Sequence, residues 1–386
     1  MKFNTNLIVE TASERANRFI NDRNIRKYLT YDDVSIIPSI FSVLDSRRSA
    51  DVTEEFVDIH GNSFKVAPIF GASMQFFQER FARDLYNGAG IHILPRVNVT
   101  EQQNKDIINN LQDVYIGVSI GKDTSVEFLQ FLEKSQHVKF ISIDIAHGAS
   151  YQTAEILEKI ISNTKIRSGI IIGNVGSLAG YVFVKCLLSC YGLKDCIIKV
   201  GIGPGAACTT RLNAGVGVGQ FSLLKELYEF ENYDYYPDFV SCKIIADGGI
   251  NHLGDFAKAL AFSNGVMAGK IFVSESMEST NIIENENGTK TALYYGMASE
   301  FAKNNTDFVE GGLVKHNFQA GKTATSISRQ VVQGIQSAMT YVNSMDLNTF
   351  RQNVRFVENS IGAIKESGLR WVALTYIQLK KMKKTQ

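Results

Sequence analysis

Of the five cysteines in the chain, at 186, 190, 196, 208 and 242, one stands where a sulfur nucleophile could be made. Cys208 follows a glycine-bent stretch, Gly201-Ile-Gly-Pro-Gly-Ala-Ala-Cys-Thr-Thr-Arg211. Glycines permit positive φ and let backbone N–H groups close on a ligand, and N–H dipoles aimed at a sulfur favour its thiolate. The thiolate is the form that attacks an electrophilic carbon. Cys186 and Cys190 have the spacing of half a metal site, but no second pair follows. Their setting, Tyr181-Val-Phe-Val-Lys-Cys-Leu-Leu-Ser-Cys190, predicts the buried face of a helix. A dinucleotide-binding reading of Gly201-x-Gly203-x-x-Ala206 fails on context. The unit comes late in the chain, the loop runs into Cys-Thr-Thr rather than a helix, and no strand-end acid follows about 20 residues on.

The other residues with chemistry in them gather at the ends of short apolar runs. Eight such runs alternate with helical segments: 66–71, 90–94, 114–119, 139–144, 169–174, 196–201, 242–247 and 265–269. Their near-continuous apolar character suits strands buried on both faces, and the alternation suits parallel βαβ construction. Eight strands close a barrel. The run ends carry Gly71-Ala-Ser-Met74, Pro95-Arg96, Asp144-Ile-Ala-His-Gly148, Gly173-Asn174, Asp247-Gly-Gly249 and Gly269-Lys270. A barrel places its active site at the carboxyl ends of its strands, and polar residues at one end only are what that demands. The predicted fold is an α/β single-domain (β/α)₈ TIM barrel over 1–386 with no inserted regulatory domain. Residues 1–65 form an N-terminal arm, 270–326 an excursion serving as a mobile active-site flap, and 327–386 C-terminal helices.

Composition narrows the partners. A net charge of +1 gives no electrostatic reason for nucleic acid or membrane binding, and the aromatic residues show no spaced stacking platform. The basic run Lys380–Lys384 is a solvated tail, and His92, inside an apolar run, is a core histidine. No apolar segment suggests a leader or a membrane span, and the odd cysteine count suits a reducing compartment. The expected location is cytoplasmic.

The cysteine loop closely resembles that of the IMP dehydrogenase and GMP reductase family, of form GxGPGxxCTTR. Further motifs carry the resemblance along nearly the whole chain: Leu29-Thr-Tyr-Asp-Asp-Val-Ser-Ile-Ile-Pro38, Pro68-Ile-Phe-Gly-Ala-Ser-Met74, Asp144-Ile-Ala-His-Gly148, Gly173-Asn-Val175, Ile245-Ala-Asp-Gly-Gly-Ile250, Gly254-Asp-Phe-Ala-Lys-Ala259 and Tyr294-Tyr-Gly-Met-Ala-Ser299. The resemblance implies that Cys208 adds to C2 of a purine nucleotide as a covalent thioimidate. It implies that Asp247 binds the ribose, and that Gly249 and Gly269 offer N–H donors to the phosphate, beside Gly205, Ala206, Gly248, Lys270 and Tyr294. Ser73, Met74, Gly296, Met297 and Ser299 complete the nucleotide site. Asp144, Ala146, His147 and Asn174 border a nicotinamide cofactor. Carbonyls of Gly203, Gly205 and Cys208 match the family's potassium site. The family is typically homotetrameric.

Two reactions share that intermediate. The dehydrogenase oxidises IMP with NAD and activates water with an arginine and tyrosine on its flap; the reductase expels ammonia from GMP with a Thr–Glu pair and takes hydride from NADPH or NADH. No arginine occurs between Arg211 and Arg329, so the flap lacks that arginine. Asp307-Phe-Val-Glu-Gly-Gly312 resembles the reductase's flap segment, which implies catalytic roles for Glu310 and for Thr210. The chain is closer to GMP reductase; IMP dehydrogenase and a non-catalytic nucleotide-binding protein are the alternatives. Ala206 and Lys270 depart from the family pattern at the phosphate, Ser73 and Ala298 near the base. A deoxynucleotide or modified purine therefore stays open as substrate.

Overall fold

The computed structural model describes residues 4–18, 25–74, 79–232, 240–273, 282–286, 288–296, 299, 311–317 and 322–366. Eight parallel strands close into a barrel: β1 (Ile69–Gly71), β2 (Ile91–Leu94), β3 (Ile116–Ile120), β4 (Val138–Asp144), β5 (Ile170–Val175), β6 (Ile197–Val200), β7 (Lys243–Asp247) and β8 (Gly265–Ala268). Closure runs through β8 and β1, with Val266 opposite Ile69 and Ala268 opposite Gly71. The expected (β/α)₈ architecture is what the chain adopts, and all eight apolar runs supply its strands.

Helices follow the strands around the outside: α1 (Glu79–Asn87), α2 (Glu101–Asn110), α3 (Val126–Lys134), α4 (Tyr151–Asn163), α5 (Leu178–Cys190), α6 (Gln220–Glu231), α7 (Leu253–Leu260) and α8 (Ala324–Tyr341). Local sequence sets several starts. Thr100 and Gln103 form a capping box at α2, and Ser125 and Ser177 accept the backbone N–H of Phe128 and Gly180 at 3.1 Å each. Because α2 begins seven residues beyond Leu94, no domain is inserted there.

One mouth of the barrel is plugged. A hairpin of Glu54–Val57 and Ser63–Val66 places Phe56 across the amino ends of the strands, edge-on to Phe70 of β1 (5.6 Å) and Phe140 of β4 (5.7 Å). Phe56 and Phe70 are fully buried, so this end is a packed wall. The opposite mouth is lined by the strands' carboxyl ends.

The segments outside the repeat hold more structure than the sequence predicts. The N-terminal arm contains a helix, Thr5–Asn17, that buries Ala12 and Ala16 and packs on α5, besides the plugging hairpin. Within 270–326, Ile282–Glu284, Lys290–Tyr295 and Leu313–Asn317 form a three-stranded antiparallel sheet. The C-terminal region is not helical throughout. Phe356–Glu358 is a strand, paired antiparallel with Val34–Ile36 from the other end of the chain. Cys186 is buried on α5 as expected, but Cys190, at its last turn, is exposed. His92 is fully buried with its ring edge-on to Phe81, as a core histidine should be. The basic run Lys380–Lys384 lies outside the described residues.

Candidate active site

The loop after β6 makes a tight bend before Cys208. Its first residue, Gly201, has φ +147° and lies so close to the Asp247 carbonyl that a Cβ would sit 2.2 Å from that oxygen, which only glycine avoids. Gln220, at the start of α6, donates to the Val200 carbonyl at 2.7 Å and fixes the base of the loop. Gly205 then accepts the Cys208 N–H at 3.0 Å, closing the turn that presents the thiol. Gly248, at φ +87°, brings the loop after β7 against the Gly205 backbone. The expectation that no helix follows the cysteine needs one correction: Thr210–Asn213 is a single helical turn, whose carbonyl-bonded amides continue the bend.

Cys208 is half-buried. Its Sγ lies 3.1 Å from the Thr210 Oγ1, a hydrogen bond in which either atom can donate. The segment leading into the Leu313–Asn317 strand returns to the loop. Gly311 bridges Cys208 and Ser299, and the Gly312 N–H donates to the Ala207 carbonyl at 2.8 Å. Ser299 is buried, and its N–H reaches the Gly296 carbonyl at 3.0 Å. Met297, Ala298 and Glu310 lie outside the described residues.

Three of the residues expected at the nucleotide come together. Tyr294 is buried where a Cβ on Gly269 would meet its hydroxyl at 3.0 Å and the Met74 Cε at 2.9 Å, so Met74, Gly269 and Tyr294 share one corner. Burial, then the charges of Asp247 and Cys208, hold the Tyr294 phenol well above its usual range. It is a neutral donor at physiological pH. Ser73 is buried, its Oγ 3.4 Å from the Leu94 carbonyl. Lys270 opens the turn after β8, Nζ 2.8 Å from the Asn251 Oδ1, while Ala206 is exposed at the loop tip. Gly249 lies against the Tyr31 ring, whose buried hydroxyl has no hydrogen-bond partner among the described residues.

The ends of β4 and β5 carry an acid and an amide. Asp144 ends β4, followed by the exposed Ala146 and His147. Asn174 Nδ2 donates to the Gly201 carbonyl at 2.7 Å and to the Asp247 Oδ2 at 2.8 Å, which ties β5 to β7 across β6. Ser150, in the loop after β4, keeps a buried Oγ without a partner among the described residues. An acid, an amide and an orphaned hydroxyl on one rim fit a polar cofactor.

One group had escaped notice. Lys199, in the middle of β6, reaches Asp144 Oδ1 at 2.8 Å and Asp247 Oδ2 at 3.1 Å. Its signal was a charge inside an apolar run, Ile197-Ile-Lys-Val200. Arg96 gives two hydrogen bonds to the Asp144 carbonyl, at 3.1 and 2.9 Å. Burial disfavours the Lys199 ammonium, but Asp144 and Asp247 together outweigh it and raise its pKa.

The IMP dehydrogenase / GMP reductase domain model matches residues 28–370. The chain belongs to that family. Its relatives include the GMP reductases of Exiguobacterium sp. and Bacillus subtilis. The first is 31% identical over 344 residues, 87% of this chain and 97% of the relative. The second is 30% identical over 339 residues, 86% and 96% respectively. The Helicobacter pylori GMP reductase is 29% identical over 345 residues, 87% of this chain and 98% of its own. The protein is an oxidoreductase enzyme of this family. Among the described residues no helix is long and apolar enough to cross a membrane, and no group of three His, Cys, Asp or Glu side chains could hold a metal.

Proposed function

We propose that the enzyme is a GMP reductase, converting GMP to IMP and ammonia at the expense of NADPH. The observation that carries this reading is the Thr210 hydroxyl 3.1 Å from the Cys208 thiol. In this account the Cys208 thiolate adds to C2 of GMP. The 2-amino group, protonated through Thr210 and Glu310, leaves as ammonia, and a thioimidate remains. A nicotinamide cofactor supplies hydride to that carbon when bound. The thiolate then departs and IMP is released. GMP, NADPH and two protons thus give IMP, NADP and ammonium.

The remaining residues bind and orient. Asp247 accepts the ribose hydroxyls, while Gly205, Ala206, Gly248, Gly249, Gly269, Lys270 and Tyr294 meet the phosphate. Ser73, Met74, Gly296, Met297 and Ser299 enclose the base, and Asp144, Ala146, His147 and Asn174 hold the cofactor. Ammonia loss needs a positioned proton donor, and the Thr210 hydroxyl, hydrogen-bonded to the nucleophile, supports that role. The missing flap arginine, between Arg211 and Arg329, favours this direction over IMP oxidation. The carbonyls of Gly203, Gly205 and Cys208 offer oxygen donors for potassium, and the Gly205 carbonyl keeps a lone pair beyond its bond to the Cys208 N–H. Homotetrameric assembly in the cytoplasm belongs to the same reading.

The test uses two mixtures. Protein with GMP and NADPH should bleach the cofactor's near-ultraviolet absorbance, and protein with IMP and NAD should leave it unchanged. Activity in the second mixture alone would make the enzyme an IMP dehydrogenase.

A further inference from the structure

We propose that Lys199 is the positioning residue that couples the nucleotide and cofactor halves of the site, holding Asp247 and Asp144 with a single ammonium group. The inference rests on the assignment of those two aspartates under the proposed function.

The geometry is specific. Lys199 comes from β6, Asp144 from β4 and Asp247 from β7, so the ammonium spans four strands of the barrel at its open end. Its distances are 2.8 Å to Asp144 Oδ1 and 3.1 Å to Asp247 Oδ2, and its side chain is 5% exposed, against 17% and 21% for the acids. The barrel makes room for it. A Cβ on Gly173 of β5 would stand 2.6 Å from the Lys199 Cβ, so the neighbouring strand carries no side chain there. Each acid is also held from a second side: Asp247 by the Asn174 amide, and the Asp144 backbone by Arg96.

A buried lysine is costly to desolvate and persists when its carboxylate partners outweigh that cost. Here one cation faces two carboxylates, which leaves each acid with an oxygen directed away from Lys199 and the pair with a net negative charge. Remove the ammonium, and two like charges share one pocket. Each then repels the other, and Asp247 loses the orientation that lets it accept the ribose hydroxyls. Both subsites therefore respond to one lysine.

The experiment measures the binding of GMP alone, and of NADPH in the presence of IMP, which it cannot reduce, by calorimetry. The proteins are wild type, Lys199→Met, and Lys199→Met with Asp144→Asn. The single variant should weaken both ligands about tenfold or more, and steady-state KM values for GMP and cofactor should rise together. Neutralising Asp144 in that background should restore GMP affinity at least threefold while NADPH binding stays weak. A lysine that only supported the barrel would show no such recovery. Loss of one ligand's affinity alone, or no recovery in the double variant, overturns the proposal. If Lys199→Met does not fold, a double variant that folds and binds GMP supports the shared charge, and one that also fails to fold overturns it. Wild-type protein that binds neither ligand overturns the function reading and this inference together.

Discussion

The two mouths of the barrel both bury ion pairs, and they treat them differently. At the amino end, Glu54 is clasped by Arg351 and by Lys243 at 2.6 Å, and Asp58 by Lys139 at 2.8 Å, with two backbone amides at 2.9 Å completing its shell. Phe56, Phe70 and Phe140 close the space between them. At the carboxyl end, Lys199 is shared by two acids that stay partly open to the cleft, beside a half-buried thiol. Saturated pairs fasten the plug and the C-terminal segment to the strands; shared ones leave acceptor capacity for ligands. Charge burial alone does not mark a site. Incomplete satisfaction at the ligand-facing rim does.

That contrast can be broken most sharply at Cys208. Cys208→Ala should lower turnover by about 10⁴ or more while GMP still binds, measured by steady-state kinetics and calorimetry. At the other mouth, Arg351→Met leaves Glu54 short of a partner and should cost about 3–5 kcal/mol in urea unfolding, with kcat/KM nearly unchanged. An equal loss of activity would erase the distinction between the ends.

Acid should act at the same place. Burial raises the Glu54 pKa, but Arg351 and Lys243 outweigh it and the net shift is downward. Asp58 is likewise lowered, its burial outweighed by Lys139 and the Asn62 and His60 amides. A carboxylate with a depressed folded pKa stabilises the fold above its unfolded value, about 4, and that contribution is lost as pH falls through the folded value. Unfolding free energy should therefore drop below about pH 4, and the drop should be shallower in Glu54→Gln, read from urea midpoints across pH.

Smaller effects belong to the open mouth. Glu310→Gln should retain GMP binding and slow ammonia release by about 10², seen in single turnovers. Lys270→Ala should raise the KM for GMP about fivefold, a loss of about 1 kcal/mol, with kcat little changed. A Lys270 variant that instead changed kcat would place that lysine nearer the chemistry.

The strands and the cysteine loop were legible in the sequence because each is a local pattern: Ile-Ile-Ile-Gly-Asn174 declares a buried strand, and Gly201–Cys208 a bent loop, without reference to the rest of the chain. What was not legible depends on distant partners. Nothing near Phe56 says that its ring plugs a barrel against Phe140, and nothing in Phe356-Val-Glu358 names Val34–Ile36 as the strand it joins. The flap sheet was hidden for the same reason, since Lys290–Tyr295 lies in a stretch rich in Asn, Glu and Thr. Lys199 sits between the two cases: its charge is visible in β6, but that it serves two acids on strands to either side is a property of closure.

On the proposed mechanism Cys208 holds purine C2 while hydride arrives there. Supplying GMP with NADPH deuterated at the transferring position and weighing the product tests this directly. IMP one mass unit heavier, with the label at C2, is expected from the wild type, and none from Cys208→Ala. Unlabelled product, or XMP formed from IMP and NAD by the same protein, would contradict it.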